Sequence, residues 1–235
     1  MPHPTRETDE HDAQGGNYKP ALAHHWLTRV YDLVVRATSR ESAFKARLHQ
    51  QADLTNATSL LDVGCGTGTF AIMAKRSSPS LRVVGVDADP RVLEIAARKA
   101  DKAGVDIELI QGSATSMPTP DKTFDRVVSS LFFHHLDRPA KETVGREIAR
   151  VLAPGGQLHI ADWGAPTNRA LRAAFLTVQL LDGFETTRDN VQGRLPEILA
   201  SASGLDEVEQ VDSIPTMLGT IGFYRARRNS GSQSA

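Results

Sequence analysis

A glycine-rich turn between an apolar run and a helical stretch constrains this chain more than any other feature. It reads Leu60-Leu61-Asp62-Val63-Gly64-Cys65-Gly66-Thr67-Gly68-Thr69-Phe70. The first four residues suit a short strand buried in a parallel sheet, and Phe70 to Ser77 carries helical periodicity. Glycines at alternate positions let the backbone turn sharply and approach a ligand closely. Strand, turn and helix in this order place the turn outside the carboxyl end of a strand, where open α/β sheets bind their ligands.

The chain beyond the turn keeps the same rhythm. Further strands are expected at Arg82–Val86, Ile107–Ile110, Phe124–Ser129 and Gln157–Ala161. A helix from Pro90 to about Ala103 is stopped by Gly104, and another, Ala140 to Leu152, is closed by Pro154-Gly155-Gly156. Strands alternating with helices imply βαβ units with right-handed crossovers. After Asp162 come helical stretches at about 168–181 and 188–202. Two strand-like segments follow, Val208–Ser213 and Met217–Ala226, whose short connection predicts an antiparallel pair at the sheet edge. The expected fold is α/β: a Rossmann-like, doubly wound, mostly parallel seven-stranded sheet with an antiparallel edge strand. Residues 1–20 read as a flexible arm and 21–57 as a helical cap. Residues 58–228 read as the main domain, with lid helices at about 167–203, and 229–235 as a disordered tail.

Composition narrows the function. Lys and Arg total 27 against 28 Asp and Glu, a net charge of −1, which argues against a nucleic-acid partner because such proteins carry a basic stripe. A lone cysteine, Cys65, excludes an internal disulfide and a thiolate metal cluster. No run approaches a membrane span, and the polar, acidic start shows no secretory signal, so a cytoplasmic location is expected.

The turn itself selects the ligand. A dinucleotide fingerprint is G-x-G-x-x-G, whereas this one is G-x-G-x-G, and Asp62 stands two residues before its first glycine. A carboxylate there repels a pyrophosphate and suits a cationic ammonium or sulfonium. Asp87 follows Gly68 by 19 residues, the position from which an acid accepts hydrogen bonds from ribose hydroxyls. Asp89, just before Pro90, is the better helix cap, which leaves Asp87 for the ligand.

Together with V-V-G-V-D (83–87), F-D-R-V-V-S-S (124–130) and R-V-L-A-P-G-G-Q-L (150–158), the turn resembles the class I S-adenosylmethionine-dependent methyltransferases, in particular the small-molecule group that includes ubiquinone and menaquinone methyltransferases. The resemblance covers residues 59–162 and implies S-adenosylmethionine as cofactor, with S-adenosylhomocysteine as product. It implies Asp62, Gly64, Gly66 and Gly68 around the methionine moiety, Asp87 on the ribose and Ala88 beside the adenine. Ser113 and Ala114 fall on the adenine side, and Ser129 near the sulfonium. Ser113 departs from the pattern: many relatives have an acid there to accept the adenine amino proton. Tyr31 and Asp32 are similar to a Tyr-Asp pair that closes over the cofactor in the quinone enzymes.

Methyl transfer to a small, hydrophobic acceptor through O, N or C is the expected reaction, an in-line displacement that runs largely on alignment. His134 and His135, after the fourth strand, are candidate bases, since imidazole titrates near neutrality; the alternative is that one of them holds a neighbouring loop. No metal site is expected, because adjacent side chains diverge and no carboxylate-plus-His cluster surrounds the pair at ligand spacing. Asp162 and Trp163 face the same crevice, whereas His159 reads as a core residue. The apolar stripe Leu171, Ala174, Phe175, Val178, Leu181 and Phe184 suits core, a lid, or a peripheral membrane contact. A nicotinamide-dependent oxidoreductase and a non-catalytic cofactor-binding regulator are the competing readings. Oligomeric state is not legible.

Overall fold

The computed structural model describes residues 41–201 and 204–229. The arm, the cap up to residue 40 with Tyr31 and Asp32, residues 202–203 and the tail from 230 lie outside the described residues. Seven strands form one sheet: β1 (Ser59–Val63), β2 (Arg82–Asp87), β3 (Glu108–Gln111), β4 (Phe124–Ser130), β5 (Leu152–Trp163), β6 (Leu205–Pro215) and β7 (Thr220–Arg228). Their order is β3-β2-β1-β4-β5-β7-β6. The first five are parallel, and β7 runs antiparallel to both β5 and β6. The expected antiparallel pair is therefore at the edge, with β7 inserted between β5 and the outermost strand.

Helices cover both faces: α1 (Glu41–Ala52), α2 (Thr69–Ser77), α3 (Pro90–Ala103), α4 (Arg138–Val151), α5 (Arg169–Asp182), α6 (Phe184–Val191) and α7 (Leu195–Ser201). The two-residue period of the strands sorts the core. Leu61, Val63, Val127 and Ile160 pack with Val144 and Ile148 of α4 and Leu195 and Leu199 of α7. Leu60, Val128 and Ala161 point the other way, towards Phe44 and Leu48 of α1, Phe70 of α2 and Phe175 and Val178 of α5. The inner part of the Leu171–Leu181 stripe is thus core. Asp62 shares the parity of Leu60, so its carboxylate enters the face covered by α1 and α2.

Local signals match where the reasoning was local. The Asp89 side chain caps α3 by accepting from the Arg91 N–H at 2.8 Å, and Gly104 ends that helix with φ +65°. Two departures have physical reasons. β5 begins at Leu152 rather than Gln157, because Leu152 pairs with Phe124 and a register shift absorbs the Pro-Gly-Gly segment as an irregularity within the strand. The expected helix at 188–202 is two helices, broken where Gly193 takes φ +68° and Pro196 follows.

α1 is fastened over the sheet from a distance. Gln51 Nε2 donates to the Tyr224 carbonyl at 2.8 Å, Arg126 Nε donates to the Ala52 carbonyl at 2.8 Å, and Arg47 meets Asp212 at 2.8 Å. His159 is buried beneath it between Gln51 and Gln157. Burial, and the Arg126 and Arg225 cations, press its pKa down to about 3.

Candidate active site

The chain direction across the sheet reverses between β1 and β4, which opens a crevice at their carboxyl ends. The glycine turn forms one wall. Gly64, Gly66 and Gly68 all have positive φ, at +67°, +52° and +69°. A Cβ on Gly64 would stand 2.4 Å from Phe132 Cδ2, whereas one on Gly66 would meet nothing within 4 Å. The turn is thus packed tightly against the loop after β4 at its first glycine and open at its second. Lys99 of α3 braces it from behind, donating to the Thr67 carbonyl at 2.8 Å and to Thr69 Oγ1 at 2.6 Å.

Asp62 is 1% exposed, and neither carboxylate oxygen has a hydrogen-bond partner among the described residues. Burial raises its pKa to about 7; Lys45 of α1 opposes the rise, Asp87 adds to it, and the Ala71 N–H, near the carboxylate but outside hydrogen-bond geometry, opposes it least. An unpartnered buried carboxylate is expensive, on the order of 1–3 kcal/mol or more. Lys45 itself meets Glu41 at 2.8 Å and is largely buried. Lys45 acts on Asp62 through charge alone, with no hydrogen bond between the two side chains.

Asp87 ends β2 with both oxygens engaged by backbone: Oδ2 accepts from the Gly66 N–H at 2.8 Å and Oδ1 from the Asp89 N–H at 3.0 Å. Each oxygen keeps a second lone pair for a hydroxyl donor. Ala88 is exposed beside it. The Gly112 N–H donates to the Asp87 carbonyl at 3.0 Å, so Ser113 and Ala114 lie at the same end of the sheet. The exposed Ser113 hydroxyl bonds Thr115 Oγ1 at 2.7 Å, and Ala114 is half-buried against the core. Ser129 is fully buried and donates to the Val63 carbonyl at 2.9 Å, tying β4 to β1 at the mouth. Cys65 is buried, and burial with the Asp62 and Asp87 charges pushes its thiol far up, so it is inert.

The opposite wall is organised by Asp162 at the end of β5. Its Oδ2 accepts from the N–H groups of Phe132 and Phe133 at 3.0 and 2.7 Å, and Oδ1 meets His134 Nδ1 and the Trp163 N–H, both at 2.7 Å. Burial would raise this carboxyl, but His134 and the backbone donors outweigh it and hold the pKa below its ordinary value. His134 is buried, with Nε2 3.6 Å from Asp182 Oδ2 at the end of α5. Burial disfavours its cation, yet Asp162 and Asp182 prevail and raise its pKa. His135 is exposed, and its ring centroid is 3.9 Å from that of His134. The expected divergence of the two rings does not occur, because Phe133–His135 is a tight 3-10 turn. Leu131, entering this turn, takes φ +52°, a conformation rare outside glycine.

Sequence reasoning missed Lys45 and Asp182. Each reaches the crevice through packing of elements distant in the chain. Only the i, i+4 pairing of Glu41 with Lys45 was visible in sequence.

Fold and site define the architecture: a Rossmann-like sheet of strand order 3-2-1-4-5-7-6, with a glycine turn after β1 and an acid ending β2 at its switch point. Residues 60–156 match the family described as "Methyltransferase domain". Among curated proteins, the demethylmenaquinone methyltransferase of Deinococcus radiodurans is 35% identical over 151 residues, 63% of this chain and 59% of that protein. The protein of the same name from Thermus thermophilus is 37% identical over 111 residues, 47% of this chain and 50% of that one. The chain thus spans about half the length of the curated relatives it matches. The mitomycin 7-O-methyltransferase shares the fold at TM-score 0.66 and 23% identity, covering 86% of this chain and 58% of that one. So does the [4+2]-cyclase SpnF, at TM-score 0.61 and 21% identity over 80% and 82% of the two chains.

Proposed function

We propose that this protein transfers a methyl group from S-adenosylmethionine to a small, hydrophobic acceptor of the quinone-like kind that its curated relatives' names describe. The observation that carries the reading is the pairing of an unpartnered buried carboxylate, Asp62, with the open space at Gly66. The residues fit the cofactor. Asp62 faces its ammonium, Lys45 its carboxylate, Asp87 its ribose hydroxyls, and the glycines admit its backbone approach. Gly64 and Gly68 shape the turn, and Ala88, Ser113 and Ala114 border the adenine. An acid at Asp62 argues equally against the pyrophosphate of a nicotinamide cofactor.

Bound there, S-adenosylmethionine supplies a methyl group on a sulfonium leaving group. The chain's own part is alignment and exclusion of water. Ser129 ties the β1 and β4 ends together beneath the sulfonium position. Asp162 holds the loop carrying Phe132 and Phe133, and through His134 it reaches Asp182 on the lid. His134, its pKa raised by the two carboxylates beside it, positions that loop, and His135, pressed down to about 3 by packing and by the neighbouring His134, is too weak a base to be assigned the acceptor's proton. Leu176, Leu180 and Phe184 are 42%, 73% and 49% exposed. They flank Asp182, and this apolar row supports a hydrophobic acceptor and a peripheral contact with the lipid that would carry it. No helix among the described residues is long and apolar enough to cross a membrane.

Calorimetric titration with S-adenosylmethionine should show binding that Asp62→Ala and Gly66→Val each weaken at least tenfold. Labelled methyl from the cofactor should enter the lipid fraction of a cell extract. Undiminished affinity in both variants would remove the site assignment. Intact binding with no label transferred to any fraction would turn the protein into a cofactor-binding regulator.

A further inference from the structure

The second wall holds a grouping the transfer reaction does not require. A nitrogen of His134, a nitrogen of His135 and a carboxylate oxygen of Asp182 lie within 4.8 Å of one another, the one such trio of possible ligands among the described residues. Two adjacent histidines converge here because the 3-10 turn at Phe133–His135 brings their ring centroids to 3.9 Å, with the planes tilted by 43°. Asp182 arrives from the far end of α5, with its Oδ2 3.6 Å from His134 Nε2.

We propose that His134 Nε2, a ring nitrogen of His135 and the Asp182 carboxylate form a binding site for a borderline divalent transition metal of the zinc class. Three features beyond proximity favour this. The first is the donor set: two imidazoles and one carboxylate suit zinc, cobalt or nickel, and not the all-oxygen preference of magnesium or calcium.

The second is the supporting hydrogen bond. Asp162 Oδ1 lies 2.7 Å from His134 Nδ1, which makes Nδ1 the donor and turns Nε2 towards the trio. Metal-ligating histidines generally have a carboxylate or carbonyl behind them in this way. Asp162 is itself anchored by three backbone N–H groups, those of Phe132, Phe133 and Trp163, so the imidazole plane is held rather than free to turn.

The third is charge. Asp162 and Asp182 place two buried carboxylates around one imidazole, so the space at Nε2 calls for positive charge, which a proton or a metal cation can supply. Tetrahedral zinc with bonds of about 2.0–2.1 Å sets its ligand atoms roughly 3.3 Å apart. The 3.6 Å between Nε2 and Oδ2 is already close to that. A rotation of the exposed His135 ring completes the trio and leaves a fourth position for water or an acceptor oxygen.

The test uses untagged full-length protein, first stripped with a chelator. Zinc is titrated against a chromophoric chelator, and cobalt(II) is followed by its visible absorption in the same protein. Asp182→Asn and His135→Gln are compared with the parent, with melting temperature confirming that each is folded. The expected result is one equivalent of zinc bound at micromolar or tighter affinity, weakened at least tenfold in both variants. No zinc binding by the folded parent would overturn the proposal. So would unchanged affinity in either variant, because each supplies one of three ligands. Titration of S-adenosylmethionine into the same samples reports on the cofactor site separately, so failure of one reading is distinguishable from failure of the other.

Discussion

Asp62→Asn tests the central electrostatic claim, because it should make the protein more stable and less able to bind its cofactor. In the cofactor-free protein the Asp62 carboxyl is raised from 3.8 to about 7 by burial. Its folded-state pKa lies above the unfolded one, so its contribution is most favourable below about pH 4 and is lost as pH rises through 7. At about 1.4 kcal/mol per pH unit, an upper bound of about 4 kcal/mol is lost once Asp62 is ionised in the fold. Asparagine keeps the shape and cannot ionise. If half of that figure survives local relaxation, the variant gains about 2 kcal/mol at pH 8, or roughly 4–8 °C in melting temperature for a chain of this size. The gain should shrink towards zero near pH 4. Taking the difference between variant and parent at each pH removes other titrating groups such as His159. Thermal melts of both proteins at pH 5, 6, 7 and 8 without cofactor read the effect. S-adenosylmethionine affinity should fall about 10- to 100-fold, the worth of one charge-assisted hydrogen bond. A variant no more stable than the parent at pH 8, or a difference that does not change with pH, would refute the reasoning.

Three further outcomes follow from the same geometry. Gly64→Ala should cost about 1–3 kcal/mol by chemical denaturation, since its Cβ would stand 2.4 Å from Phe132 in a backbone with φ +67°; adding Phe132→Ala should recover part of that loss, and additive effects would exclude the contact as its cause. Asp162→Asn should destabilise by about 3–5 kcal/mol, because it removes the charge partner of buried His134 and weakens the anchor of the 132–134 loop; a change below 1 kcal/mol in urea denaturation would count against that anchor. His159, whose pKa is lowered to about 3, should show a neutral imidazole NMR signature down to pH 5 in the folded protein. Its contribution to stability is full above pH 6.5 and falls as the unfolded chain takes up the proton it refuses, and a midpoint near 6.5 would contradict its burial.

Much of the glycine-turn side of the crevice was legible in sequence because its determinants are contiguous or locally spaced. The turn at 64–68, the acid before it, the Asp89 cap and the acid ending β2 all belong to strand–turn–helix units whose geometry neighbouring residues set. The wall organised by Asp162 was not legible in the same way. His134 was visible as a residue, but its state depends on Asp162 and Asp182, 28 and 48 positions further along. Lys45 reaches Asp62 only because Gln51 and Arg126 fasten α1 across the sheet. The split of the 188–202 helix at Gly193 also escaped the periodicity, since Leu195, Ile198 and Leu199 continue the apolar pattern beyond the break. The SpnF fold likeness makes the corresponding point for chemistry: this architecture also serves a cyclase, so the reaction has to be argued from the site.

By itself, the sequence determined the parallel α/β architecture, the glycine turn and the acids that stand before it and at the end of β2. Hydrophobic period, turn chemistry and short spacings suffice for those. The tertiary structure alone decided that Asp62 is buried without a side-chain partner, that two neighbouring histidines converge on Asp182, and that the charge of Lys45 acts on Asp62. Each of these depends on where distant elements dock. Burial and the distance between charges, which govern proton and cation affinity, are properties of the packed chain and not of its order of residues.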